Sequence, residues 1–217
     1  RAQVDDTNRR TLELLEAINK TSGQQAMYLA KLQDYQAALT QNAQQEKIAQ
    51  SLCDLGVDVI VGGHPHVIQD AEMLTSTVDG AHQTLCFYSQ GNFLSNQRAT
   101  NIDLDTGHSE DSLVCSFTFV KYSDGSVYLE AADILPTWVL IRGTGDGRTY
   151  HILPLSGSGD DWATAFDLSG SQSSDAKASA KRTKDIISAD FEAIRNLLNT
   201  QATERHQALG IFTGGVG

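Results

Sequence analysis

The run Val57-Asp58-Val59-Ile60-Val61-Gly62-Gly63 constrains this chain more than any other stretch. It is short and β-branched, and it begins straight after a Gln- and Ala-rich segment. In that segment Ile48, Leu52 and Leu55 keep helical spacing, and Gly56 suits a helix C-cap. A helix that hands over to such a run, ended by two glycines, is the pattern of a buried strand in an α/β unit. The run 57–61 is therefore expected in the interior of a sheet, with 84–89 nearby in the same layer. Loops at strand C-termini are where α/β folds place ligands, so the residues after Gly63 are the first to ask about function.

The 217 residues suffice for one ordinary domain or two small ones. The first fifty-five read helical: Leu12, Leu15 and Ile18 follow Thr7 as a cap, with a break at Thr21-Ser22-Gly23. Further strands are expected at 112–121, 126–135, 137–142 and 148–154. Asp124-Gly125 and Asp146-Gly147 mark hairpin turns. A Ser/Gly-rich linker over about 156–175 leads to an amphipathic helix striped by Ile187, Phe191, Ile194 and Leu198. The organisation read from this is a main α/β portion, 1–155, followed by the linker and C-terminal helix, 156–217.

Sixteen Lys plus Arg against 27 Asp plus Glu give a formal charge of −11, which excludes nucleic acid as the main partner. The basic runs Arg9-Arg10 and Lys181-Arg182 read as solvated helix faces. No run approaches the roughly 20 apolar residues of a membrane span. Cys53, Cys86 and Cys115 sit in apolar settings and read as buried free thiols, with one bridge left open.

The chemistry-bearing motif is Gly63-His64-Pro65-His66. Two histidines at i, i+2 in a loop leaving a strand can turn both imidazoles to one side. Neutral imidazole nitrogen is a common ligand of divalent metals such as Mn, Zn and Fe. Spacing alone favours an incidental pair, and the placement at a strand end after Gly-Gly brings the two readings level. Gly91-Asn92-Phe93 ends the next strand, with Gln90 and Ser89 before it. Gly and Asn there serve either a tight turn or a site shared with the histidines. The acidic loop Asn101, Asp103, Asp105, Glu110, Asp111 departs from a calcium loop, because Gly107 falls at the seventh position and Ser112 stands in place of the closing Glu. It reads as a solvated insertion.

Two blocks carry a family resemblance. Leu52 through Gln69, containing Gly62-Gly63-His64-Pro65-His66, and Leu85-Cys86-Phe87-Tyr88-Ser89-Gln90-Gly91-Asn92-Phe93 together resemble the signature of the bacterial capsule-synthesis (CapA, poly-γ-glutamate synthesis) family. The resemblance covers about residues 44–140. It implies a layered α/β sandwich like that of the calcineurin-like metallophosphoesterases, with a two-metal site. His64 and His66 would each hold one metal, Mn, Zn or Fe. His64 and Asn92 would be catalytic, and Gln90, Gly91 and Asn92 would face substrate.

The superfamily's Asp-x-His, Gly-Asp and Asn-His motifs do not occur ahead of these blocks. The chain accordingly reads as the C-terminal part of a longer protein, incomplete in fold, with metal held weakly or not at all by this part alone. The resemblance implies an anionic polymer or small anionic substrate. Its implied partners are the N-terminal portion of the same protein and capsule-machinery subunits. The expected place is extracytoplasmic, at the cell surface, with a membrane anchor upstream. It leaves two readings of activity open, a divalent-metal hydrolase and a non-catalytic capsule-assembly subunit.

Overall fold

The structure, a computed structural model, describes residues 39–98 and 106–210, with residues 20 and 25 besides. The chain divides into two units, Arg1–Ala38 and Leu39–Gly217, and the second is described below. The helix expected around Leu12, Leu15 and Ile18, and the loop residues Asn101, Asp103 and Asp105, lie outside the described residues.

Helix α1 spans Ala43–Asp54. Asn42 starts it because its side chain accepts from the Gln44 and Gln45 N–H groups while the Gln45 side chain bonds the Asn42 N–H in return. Gly56, at φ 84°, follows the last turn in the left-handed conformation that glycine tolerates. Strands β1 (Val59–Val61), β2 (Ala71–Thr75) and β3 (Gln83–Phe87) form one sheet in the order β1-β3-β2. β1 runs parallel to β3, with Val59 opposite Leu85, and β2 runs antiparallel to it.

Both faces of this sheet are covered. Cys86 and Tyr88, with Leu74 and Ile60, pack against Ala49 and Cys53 of α1. Leu85, Phe87 and Ala71, with Val59 and Met73, join the main core on the other face. That is why 84–88 carries no polar alternation. The expectation for 57–61 is corrected in one respect. β1 begins at Val59 and lies at the sheet's edge, with Val61 46 % exposed, while β3 is central. A β-branched run states that apolar contact is available, not how many strands flank it.

The second sheet, β4-β5-β6, is antiparallel and consists of Asp111–Lys121, Val127–Arg142 and Thr149–Pro154. Asp124-Gly125 turns β4 into β5, with Gly125 at φ 93°. The break expected between 135 and 137 does not occur. β5 runs through Pro136, whose carbonyl accepts from Leu155 N–H where the β5–β6 ladder has just ended. The N–H that proline lacks would face that same side, so no ladder bond is lost.

The stretch expected as a linker folds. Ser158 caps helix α2 (Gly159–Ala165) and Ser169 caps helix α3 (Gly170–Ala208), each in a reciprocal capping box. Serines that looked like linker composition are N-caps. The 39 residues of α3 span about 58 Å at 1.5 Å per residue. Its stripe Ile187, Phe191, Ile194, Leu198 is buried with Leu85, Phe87 and Leu113, so one core joins both sheets and the helix. Trp138, Leu140, Leu153 and Trp162 form a second cluster around Ala176. The architecture is mixed α/β. All three cysteines are free, and burial pushes the Cys86 thiol up to about 12.

Candidate functional site

Because β1 and β3 are parallel, their C-terminal loops leave the sheet at one edge. Close backbone approach joins them. Gly62 N–H donates to Phe87 O, Gln69 N–H to Ser89 O, and Gln90 N–H to Gly62 O. Gly62 has no room for a side chain, since a Cβ would press on the Tyr88 carbonyl.

This places Asn92, 7 % exposed, against the histidine loop. Its Oδ1 lies 2.7 Å from His66 Nδ1. Its Nδ2 approaches Ser109 O at 2.9 Å, Gln97 Oε1 at 3.0 Å and His66 O at 3.1 Å. Two of these partners are backbone carbonyls, which only accept, so the amide orientation is fixed and Oδ1 must be the acceptor. The His66 Nδ1 therefore carries a proton, and in the neutral ring Nε2 is the nitrogen with the lone pair. A histidine held at Nδ1–H by an amide or carbonyl is poised to ligate or accept a proton through Nε2.

Both histidines are exposed, and both have a left-handed backbone, φ 96° at His64 and 62° at His66. Such conformations are uncommon for residues with a Cβ and cost of order 1–3 kcal/mol. Gly91, at φ 78°, brings the second loop in. A side chain there would press on Asp111 O.

The structure also shows what the sequence did not. Asn92 N–H donates to Asp111 O, and Asp111 itself is 1 % exposed. Arg182 Nε and Nη2 each reach one Asp111 oxygen at 2.7 Å. Burial nonetheless pushes the Asp111 carboxyl up to about 6, against the downward pull of Arg182. Glu110 accepts from Arg98 Nη1 and Trp138 Nε1, each at 3.0 Å. The acidic loop is thus corrected at its described end: Glu110 and Asp111 are paired in the interior, not solvated. Arg182 is corrected likewise, while Lys181 does face solvent, beside Asp185.

Of the other sequence candidates, Gln90 has backbone contacts to Gly62, Leu113 and Ser112, and its side chain meets the Cys115 thiol. Ser89 is buried and bonds the Gly91 N–H. His82, His151 and His206 hydrogen-bond elsewhere. A cleft of about 840 Å³ is lined by Glu46, Asp70, Glu72, Tyr88 and Asp190, among others, and neither signature histidine borders it. Burial and the neighbouring Asp190 raise the Asp70 carboxyl above its ordinary value.

A metal fits these residues only in part. The described residues hold no group of three or more His, Cys, Asp or Glu placed to bind one ion, whereas catalytic sites commonly use three protein ligands. Two imidazoles make at most part of a centre.

The fold and this pair of loops define a mixed α/β protein with a His-x-His loop braced by an asparagine. Residues 4–97, a little under half of the chain, match the family model described as bacterial capsule synthesis protein PGA_cap, and that stretch is similar to two CapA proteins. The PGA biosynthesis protein CapA of Bacillus subtilis (strain 168) is 32 % identical over 93 residues, 43 % of this chain and 21 % of that protein. The capsule biosynthesis protein CapA of Bacillus anthracis is 43 % identical over 53 residues, 24 % of this chain and 11 % of that protein. The chain thus spans about a fifth and a tenth of the lengths of these relatives. The family match begins forty residues earlier than the 44–140 expected from the motifs and ends at residue 97. No solved structure matches.

Proposed function

We propose that this chain supplies the C-terminal part of a CapA-like protein acting in capsule or poly-γ-glutamate biosynthesis, and that His64 and His66 are its share of a two-metal site. The observation that supports the reading most is the Asn92–His66 contact. It joins the two signature blocks into one constellation and leaves His66 Nε2 free. His64 and His66 would hold divalent metal, Mn, Zn or Fe, together with donors from elsewhere in the protein. When bound, such a metal supplies charge to polarise an anionic substrate and lower the pKa of water. The chain's own part is to present Nε2 outward, keep the proton on Nδ1, and hold the loop in a conformation it would not adopt alone. Gln90, Gly91 and Asn92 line the substrate side of this reading. The substrate is an anionic polymer or a small anion, met outside the cytoplasm by a protein anchored upstream and working with other capsule-machinery subunits. No helix among the described residues is long and apolar enough to cross a membrane.

The test is metal content and polymer output of the complete protein. His66→Ala is expected to lower bound Mn or Zn at least tenfold, the usual cost of disturbing a metal's ligand shell, and to reduce polymer. Unchanged metal content in that variant defeats the metal assignment. Lost metal with unchanged polymer output favours a non-catalytic assembly subunit.

A further inference from the structure

We propose that Arg182 is a positioning residue for the His66 imidazole, acting through Asp111 and Asn92. The inference deepens the site proposed above and rests on His66 being its working group, but it requires no metal.

Each link is a short polar contact, and the middle ones are buried. The Arg182 fork takes both oxygens of Asp111. The Asp111 carbonyl receives the Asn92 N–H at 3.1 Å, and two residues earlier the Ser109 carbonyl receives Asn92 Nδ2 at 2.9 Å. Asn92 Oδ1 then meets His66 Nδ1. Asn92, Ser109 and Asp111 are all buried, so slack at one link is not absorbed by solvent.

The loop is shaped around the guanidinium. Gly107, at φ 73°, lies so close that a Cβ would strike the Arg182 guanidinium. A planar two-point clamp fixes the orientation of the carboxylate as well as its distance, which a lysine cannot do. Orientation is what the chain of contacts needs, because the Asp111 carbonyl that holds Asn92 belongs to the residue being clamped. Arg182 sits on α3, far outside the family-matched residues 4–97. The C-terminal half of this chain thereby sets the geometry of a motif carried by the other half.

The test reads His66 by NMR of the 217-residue chain labelled with ¹⁵N-histidine, near pH 8 where imidazole is neutral. His66→Ala provides the assignment. The wild-type chain is expected to show the Nδ1–H form, the reverse of the Nε2–H form that an unconstrained histidine side chain prefers. In Arg182→Ala the ratio of Nδ1–H to Nε2–H is expected to fall roughly fivefold, the weight of one net hydrogen bond. Arg195→Ala, on the same helix as Arg182, removes an exposed ion pair with Asp133 of β5 and should leave the ratio unchanged.

A folded Arg182→Ala chain with the wild-type ratio overturns the proposal. Should that variant not fold, Arg182→Gln, whose amide still donates to one Asp111 oxygen, is judged by the same ratio. Loss of folding in both variants also overturns it, since Arg182 would then serve the stability of the whole chain and not this site. Metal content does not enter the readout, so failure of the metal assignment and failure of this inference are told apart.

Discussion

Two polar constellations meet at Asn92, and they are built on opposite terms. The His64-Pro65-His66 loop is exposed and holds its strain in the backbone, with two left-handed histidines. The Asp111–Arg182 pair is buried and holds its cost in charge, a carboxylate 1 % exposed beside one guanidinium. Backbone strain at the surface leaves side chains where a ligand can reach them. Buried charge offers nothing to a ligand, but it tolerates few geometries and so fixes whatever is bonded to it. The loop presents the groups, and the ion pair keeps them in place.

The sharpest way to break this comparison is to remove the arginine. Arg182→Ala leaves a buried carboxylate without its partner, a change that costs about 3 kcal/mol or somewhat more in other proteins. The loss should depend on pH. The folded Asp111 carboxyl is already raised from 3.8 to about 6, so folding takes up a proton between those values. This group's contribution to stability therefore falls as pH rises through that window. Without Arg182 the carboxyl rises further, and at pH 5 it folds neutral and cheaply. Urea unfolding should show the full loss near pH 8 and a clearly smaller one at pH 5. An equal loss at both values would mean that the pair acts through packing, and the contrast with the loop would collapse.

A smaller effect separates the signature glycines. Gly91→Ala meets a left-handed φ and the Asp111 carbonyl together, which predicts a loss of about 1–3 kcal/mol. Gly63→Ala meets nothing within 4 Å and has no left-handed φ, so it should stay within about 0.5 kcal/mol of wild type. Thermal unfolding of the two variants decides it. Similar losses would mean that glycine at 91 serves flexibility in general and not the close seating of one loop on the other.

The sequence made some of this legible. The apolar run 84–88 and the stripe on α3 were readable because burial on both faces of a strand, or on one face of a helix, leaves a local pattern. The rank of β1 in its sheet was not, since an edge strand with one apolar neighbour carries the same residues as a central one. Lys181-Arg182 looked like one solvated face, and charge patterning sees only neighbours. Arg182 answers Asp111, 71 positions away. Ser158 and Ser169 looked like linker because composition does not say which serine meets which N–H. The motifs singled out His66 and Asn92 separately. What orients the amide between them is the Ser109 carbonyl, a backbone atom that no residue type announces.

The smallest expected effect has the opposite sign. His64 sits at φ 96°, and the left-handed region costs a residue with a Cβ about 1–2 kcal/mol. Glycine removes that strain but adds about 0.5–1 kcal/mol of unfolded-chain entropy to be lost on folding. His64→Gly should therefore stabilise the chain by roughly 0.5 kcal/mol, while removing one of the two imidazoles offered to a metal. Asn92→Ala, by contrast, gives up buried hydrogen bonds and should destabilise by about 1–3 kcal/mol. Both side chains belong to the proposed site, yet only the exposed one is held against its own conformational preference. If His64→Gly proves less stable than wild type, the left-handed histidine contributes contacts to the fold and its strain is not reserved for a ligand. If it is more stable, position 64 keeps a histidine at a cost in stability, which is the signature expected of a residue retained for what it binds.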